Sequence, residues 1–252
     1  MDFSDPEQRR VFFDIHSGLP REGPGDRDST RRALRMMGTL PKAPSIIDIA
    51  CGPGAQTLDL ADLVGDAHIV AIDAHPPFLD ELRRRAAAAG VAQRIDARAG
   101  DMAQLAIVPG SADVLWCEGA AYIIGVPEAL RLWPPLLKTG GCIALTEPVW
   151  LRPGPPDVVR RNWTEYPAMT DVPGCRDIIR RAGLELLGDF LLPAAAWMDH
   201  YYGPLEARAR QLRKKYAGNS VAAAVLQEAE SEVEVYRNYS TYFGYQFFVM
   251  KK

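Results

Sequence analysis

Cysteine and histidine are scarce in this chain, with four of each in 252 residues. Cys51, Cys117, Cys142 and Cys175 form no CxxC pair and no zinc-like spacing, which excludes a disulfide framework and a zinc module. Three of them fall in or beside apolar runs, as expected for a reducing cytosol. None of His16, His68, His75 and His200 has a partner at ligand spacing, so no metal site is expected. A basic excess is also missing. The formal net charge is −3, which gives no bulk field to draw the chain onto nucleic acid or anionic membranes. The basic clusters Arg31-Arg32, Arg83-Arg84-Arg85, Arg160-Arg161, Arg180-Arg181 and Arg213-Lys214-Lys215 are scattered and read as solvated helix faces. No run of about 18 apolar residues occurs, and the opening MDFSDPEQRR lacks a basic n-region followed by an apolar stretch. A cytoplasmic protein without membrane partners is expected.

What is present is an ordinary globular balance, 48% hydrophobic and 24% charged, long enough for one α/β domain with a small appended cap. Apolar, β-branched runs predict strands over 45–50, 68–73, 94–99, 112–117 and 141–147. Helical segments over 56–64, 76–89 and 126–137 separate them, the last ended by the Lys138-Thr139-Gly140-Gly141 turn. Strand and helix alternating at this spacing imply a doubly wound parallel sheet.

A leader over 1–44 precedes the first strand, with helices over 6–15 and 28–37 and the turn Arg21-Glu22-Gly23-Pro24-Gly25. It is expected to act as a lid. The core, 45–147, is followed by a Pro-rich break at Arg152-Pro153-Gly154-Pro155-Pro156 and a helical, aromatic cap with a sheet edge over 148–244. The cap holds Trp150, Trp163, Tyr166, Trp197, Tyr201 and Tyr202, with helices over 205–216 and 221–239. In the longer helix Ala222, Leu226, Ala229, Val233 and Tyr236 form one apolar stripe. A last β-like run, 245–252, would add a final strand, and the whole of 1–252 forms a single domain.

Three acids stand where the chain leaves successive strands. Asp48 precedes the turn Gly52-Pro53-Gly54, where the backbone must bend tightly and approach a ligand closely. The third glycine of a dinucleotide fingerprint would fall at Thr57, and no Lys-Ser/Thr follows, so neither pyrophosphate nor triphosphate is favoured. Asp48 can face the ligand or brace the loop. Asp73 ends the second strand, where a carboxylate can accept both hydroxyls of a ribose. Asp101 follows the third, able to take an exocyclic adenine amine while Met102 stacks on the ring, or to cap a helix.

The run DIACGPG, the strand ends at Asp73 and Asp101, the segment from Asp113 to Tyr122, the Lys138-to-Glu147 turn and strand and the closing β run together resemble the class I methyltransferases that use S-adenosylmethionine (SAM). That resemblance implies a Rossmann-like seven-stranded sheet with an antiparallel last strand and the cap inserted after strand 5. It also implies transfer of a methyl group from SAM to a small molecule, with S-adenosylhomocysteine (SAH) as product. Cofactor contacts carry over to Asp48, Gly52, Gly54, Asp73, Asp101 and Met102. The leader, the loop Cys117-Glu118-Gly119-Ala120-Ala121-Tyr122 and the stretch Trp197-Met198-Asp199-His200-Tyr201 further resemble small bacterial methyltransferases of the ubiquinone/menaquinone-biosynthesis type, which extends the expected contacts to Arg21, Gly25, Ala50, Gln56, Ala74 and Glu118. Pro53 stands where the family often has Thr or Ser.

Methyl transfer is an in-line displacement at an activated carbon, so alignment and desolvation dominate, with a base needed only for an acidic nucleophile. Glu118, just past the fourth strand, is the candidate base; it can instead hold a substrate amine or brace the cap. Tyr122 can line the pocket or pack beneath the fourth helix. His200, beside Asp199 among aromatics, is a third catalytic candidate. The aromatic cap suits a flat or cationic small molecule. A SAM- or SAH-binding module without turnover is the alternative reading, and the chain is expected to be a monomer or homodimer.

Overall fold

The computed structural model describes residues 4–252, so the first three residues of the expected leader lie outside the described residues. Seven strands form one sheet in the order β3-β2-β1-β4-β5-β7-β6. The parallel half is β1 (Ser45–Ile49), β2 (His68–Asp73), β3 (Ile95–Ala99), β4 (Ala112–Cys117) and β5 (Leu137–Trp150), and β7 (Phe243–Lys251) inserts antiparallel between β5 and β6 (Glu185–Leu191). This is the expected doubly wound sheet with its antiparallel last strand.

Both faces of the central strands are buried, and their period of two sorts residues between two cores. Ile46, Trp116, Ala144, Phe247 and Val249 face one side, where they meet the leader helix α1 (Pro6–His16), α3 (Ala55–Leu63) and the late helices of the chain. Ile47, Ile49, Leu115, Cys117, Leu145 and Phe248 face the other, against α5 (Val126–Leu132) and α7 (Val172–Arg181). The leader's second helix is α2 (Arg27–Met36), and α4 (Pro76–Ala88) packs Leu79 and Leu82 on β2 through Ala71. All four cysteines are buried and free. Among the described residues no helix is long and apolar enough to cross a membrane.

Three details differ from the sequence reading. The helix expected over 126–137 stops at Leu132, because Pro134 and Pro135 remove the backbone donors a continuing helix needs; a short 3₁₀ turn follows, and Lys138 to Gly141 lie inside β5. β5 also runs on to Trp150, three residues beyond Glu147, and β7 opposes that extension from Phe243, two residues before the expected start. The region over 148–244 divides in two. The short α6 (Asp157–Asn162) follows β5 directly, whereas α8 (Ala194–Trp197), a π-helical turn (Met198–Tyr202), α9 (Gly203–Lys215) and α10 (Ser220–Tyr239) lie between β6 and β7. The stripe on α10 faces inward as read, with Ala222, Leu226, Val233 and Tyr236 buried and Ala229 packed at the margin.

Candidate functional site

The loop after β1 is a chain of left-handed residues. Ala50, Gly52 and Gly54 have φ of +56°, +53° and +85°, so two of the three unusual positions carry glycine and the third costs strain. Gly54 caps α3, and a Cβ there would overlap the buried Leu82 side chain. At Gly52 a Cβ would come within 3.2 Å of Glu22 Cγ, which shows how tightly the leader covers the loop.

Asp48 lies beneath the loop and is fully buried. Thr57 Oγ1 donates to its Oδ2 at 2.5 Å and Gln56 Nε2 to its Oδ1 at 3.3 Å. Burial pushes its pKa up to about 7 against these hydrogen bonds. Both of its oxygens are thus engaged inside the protein, and the geometry favours the bracing role over a ligand contact. Gln56 donates in addition to the Cys51 carbonyl at 3.1 Å, which ties loop and helix together.

Asp73 is placed at the open end. Its Oδ2 accepts from Gly52 N and its Oδ1 from His75 N, each at 2.8 Å, so the second strand fixes the glycine turn while the remaining lone pairs stay available. Burial raises its pKa in spite of those bonds. Ala74 beside it is exposed. Asp101 is exposed and accepts from Ala103 N at 2.8 Å in a tight turn; no helix follows before β4, so the helix-capping alternative does not hold. Met102 is half-buried next to it, its carbonyl held by Trp133 Nε1 at 3.0 Å.

Glu118 and Arg21 form an ion pair whose side chains are only 4% and 7% exposed. Trp116 Nε1 and Thr30 Oγ1 donate to Glu118 Oε1 at 2.8 and 3.3 Å, while Arg21 takes Oε2. Burial raises the Glu118 pKa, with Arg21 opposing it. A carboxylate held by a guanidinium, an indole and a hydroxyl is braced rather than poised to take a proton, and the pair joins the leader to the end of β4. Gly25 lies against this pair, where any Cβ would strike Arg21 and Glu118, and its N–H reaches the Ala196 carbonyl at 3.3 Å. The leader is further held by Arg85, which donates to the Leu19 and Pro20 carbonyls at 2.8 Å, and by His16 Nδ1 against Glu22 Oε2 at 2.5 Å.

Tyr122 stands at the ends of β4 and β5 within an aromatic wall. Its ring centroid lies 5.6 Å from Tyr166 and 6.5 Å from Trp163, and its phenol shares a hydrogen bond with Tyr245. Burial pushes the Tyr122 pKa up to about 12, so it keeps its proton at neutral pH and serves as wall or donor. His200 is a correction. It is exposed on the π-helical turn, whereas its neighbours Tyr201 and Tyr202 are buried, because the turn directs those rings toward the core; nothing brings the imidazole to Tyr122 or Glu118.

Sequence reasoning missed Glu147. It took this acid for a strand end, yet Glu147 is 1% exposed, inside β5, and accepts from the Tyr166 hydroxyl at 2.6 Å. The available signal was an acid amid an otherwise apolar strand, since such residues are rarely buried without a reason. Also missed was Glu22, half-buried over the glycine turn. Among the described residues the buried side-chain atoms without a hydrogen-bond partner are Arg21 Nε, Glu22 Oε1, Glu147 Oε2 and Trp163 Nε1. Two flank the glycine loop and two flank the aromatic wall. Among the described residues no cluster of three or more His, Cys, Asp or Glu side chains could hold a metal ion.

The chain matches the family model of a methyltransferase domain over residues 46–141. It is 30% identical over 190 residues to a trans-aconitate 2-methyltransferase of Azoarcus, a match that spans 73% of this chain and 65% of that protein, short of two thirds of its length. Two solved SAM-dependent methyltransferases in complex with SAH share the fold: one from Thiobacillus denitrificans with a TM-score of 0.83 at 22% identity, covering 96% of this chain and 97% of that one, and one from Geobacter sulfurreducens with a TM-score of 0.82 at 23% identity and the same coverage. In its sheet order, its carboxylate-backed glycine turn and the stretch matched over residues 46–141, the chain is similar to SAM-dependent methyltransferases.

Proposed function

We propose that the protein transfers a methyl group from SAM to a small-molecule acceptor. The observation that carries this reading is the pairing of two structures at one sheet edge: a glycine turn fixed by Asp73, and beside it the aromatic wall around Tyr122. The residues present fit SAM. Gly52 and Gly54 leave room for close backbone approach, Asp73 has acceptor capacity for ribose hydroxyls, and Ala74, Asp101 and Met102 line the strand ends where an adenine would lie. Arg21 Nε and Glu22 Oε1 supply an unpaired donor and an unpaired acceptor for the amino-acid end. When bound, SAM supplies a methyl carbon activated by a sulfonium.

The chain's own work is orientation and exclusion of water. Glu118 and Arg21 hold the leader closed across the strand ends, and Tyr122 with its neighbours shields the approach of the acceptor. A small acceptor is supported by the enclosed aromatic wall, and the azoarcal relative is named for a small acid. A cytosolic location is supported by the four free, buried cysteines.

Titration calorimetry with SAH and NAD, followed by mass spectrometry of a metabolite extract incubated with methyl-labelled SAM, tests the proposal. SAH binding in the micromolar range without comparable NAD binding, and label in a small molecule, are the expected results. Tight SAH binding with no labelled product would leave a binding module instead.

A further inference from the structure

We propose that the acceptor is a small amine, cationic in solution, whose nitrogen is received by Glu147 within a ring of Tyr122, Trp163, Tyr166 and Tyr245. This rests on the methyl-transfer reading and names its substrate class. Glu147 Oε1 is taken by the Tyr166 hydroxyl at 2.6 Å, while Oε2 meets no donor although the residue is 1% exposed. An acceptor atom left unpaired at such depth is costly, and a donor that arrives with the ligand relieves it. An ammonium brings up to three N–H donors and the charge that a buried carboxylate lacks.

The surrounding rings favour the same partner. Tyr122 lies 5.6 Å from Tyr166 and 6.5 Å from Trp163, and Trp163 lies 6.4 Å from Tyr245, so these rings cluster around Tyr166, whose hydroxyl holds the carboxyl, and aromatic rings are favourable neighbours for a cation. Charge argues against an anion. The titratable groups that feel Glu147 are Cys117 and Tyr122 from β4 and its loop, Tyr166 and Cys175 beside α7, and Tyr245 on β7; Tyr122 and Tyr245 also feel Glu232 on α10. These are acids, phenols and thiols. Among the described residues no Lys or Arg pairs with Glu147, and Arg21 is committed to Glu118. A carboxylate-bearing acceptor would find no counter-charge there.

Burial pushes the Glu147 pKa up to about 8, so at pH 7 the free protein carries a proton that an incoming cation displaces. In the reaction the ammonium proton passes to Glu147 Oε2, which frees the nitrogen lone pair. That pair forms the N–C bond as the S–C bond breaks and its electrons stay on sulfur; the methylated ammonium leaves, and Glu147 keeps the proton it received, which restores the resting form, so the proton released is the one displaced on binding. Charge and atoms balance with one proton released per turnover.

Calorimetry on the full chain saturated with SAH, at pH 7 in two buffers of different ionisation enthalpy, tests this with phenethylamine, 2-phenylethanol and 3-phenylpropanoate as matched probes. Phenethylamine is expected to bind at least 30-fold more tightly than either other probe and to release close to one proton. Glu147→Gln, which keeps the side chain's shape, should lose both the preference and the release while SAH binds as before. Equal or tighter binding of the alcohol or the acid, absence of proton release, failure of all three probes, or a preference that survives in Glu147→Gln overturns the proposal. Should Glu147→Gln not fold, the wild-type preference and proton count decide alone. Failure of SAH itself to bind strikes the methyl-transfer reading, which separates the two outcomes.

Discussion

The two ends of the site are built by opposite strategies. Around the glycine turn, the strand acids are satisfied within one pair of adjacent βα units: Asp48 by Gln56 and Thr57, Asp73 by His75 and by Gly52 of the loop after β1. Around Tyr122 the partners come from far apart, Glu147 from β5, Tyr166 from the segment after α6, Tyr245 from β7 and Glu232 from α10, and here the strand acid itself, Glu147, keeps an unpaired oxygen. Glu118 sits at the seam, with Arg21 from 97 positions away closing one end over the other. The glycine turn is thus fixed within its own βα units, whereas the surroundings of Glu147 exist only once the late elements have packed.

The seam is the place to break this comparison most severely. Glu118→Ala leaves Arg21 buried and unpaired, and a loss of about 3–5 kcal/mol in urea-unfolding stability is expected, together with weaker SAH binding. Glu118→Gln separates bracing from proton transfer: a weaker SAH affinity with little change in turnover supports the brace, while a turnover fall of roughly 10²–10⁴ with affinity intact would restore Glu118 as a base.

At the cofactor end, Asp73→Ala is expected to raise the SAH dissociation constant by about 1.5–3 kcal/mol, the range for hydrogen bonds to a charged group, as read by calorimetry. Because Asp73 also holds Gly52 N, a modest stability loss should accompany it. Unchanged affinity in a folded variant removes Asp73 from the site.

At the acceptor end the sign of a pH effect is fixed by Glu147. Its ordinary pKa of 4.5 is raised to about 8 in the fold, so between those values the native state holds the extra proton and stability falls as pH rises. Asp48, raised from 3.8 to about 7, acts in the same direction. Wild-type unfolding free energy should therefore decline from pH 5 to pH 8.5, and Glu147→Gln should flatten the upper part of that decline by on the order of 2 kcal/mol. An unchanged slope would mean that Glu147 is ionised at neutral pH. The smallest effect is expected from His200→Ala. An exposed imidazole outside the wall should leave turnover within about twofold, since surface substitutions away from such features perturb little; a larger fall in the rate would bring the π-helical turn back into the site.

The sequence alone determined the parallel half of the sheet, the glycine turn and the acids at Asp48, Asp73 and Asp101, because each depends on contacts within one βα unit and on a period of two that survives any context. It also placed α10 and its inward stripe. Only the tertiary structure decided which of those acids stays open. Asp48 reads the same as a ligand contact and as a brace until Thr57 and Gln56 are seen to occupy both its oxygens. Likewise the sequence put Glu118 first as a base, with Tyr122 and His200 behind it, and packing separated them into a brace, a wall and a surface residue. Glu147 was hidden for the same reason: its burial and its unpaired oxygen arise where β5, β7 and the segment after α6 converge, and burial is a property of neighbours that no local pattern contains.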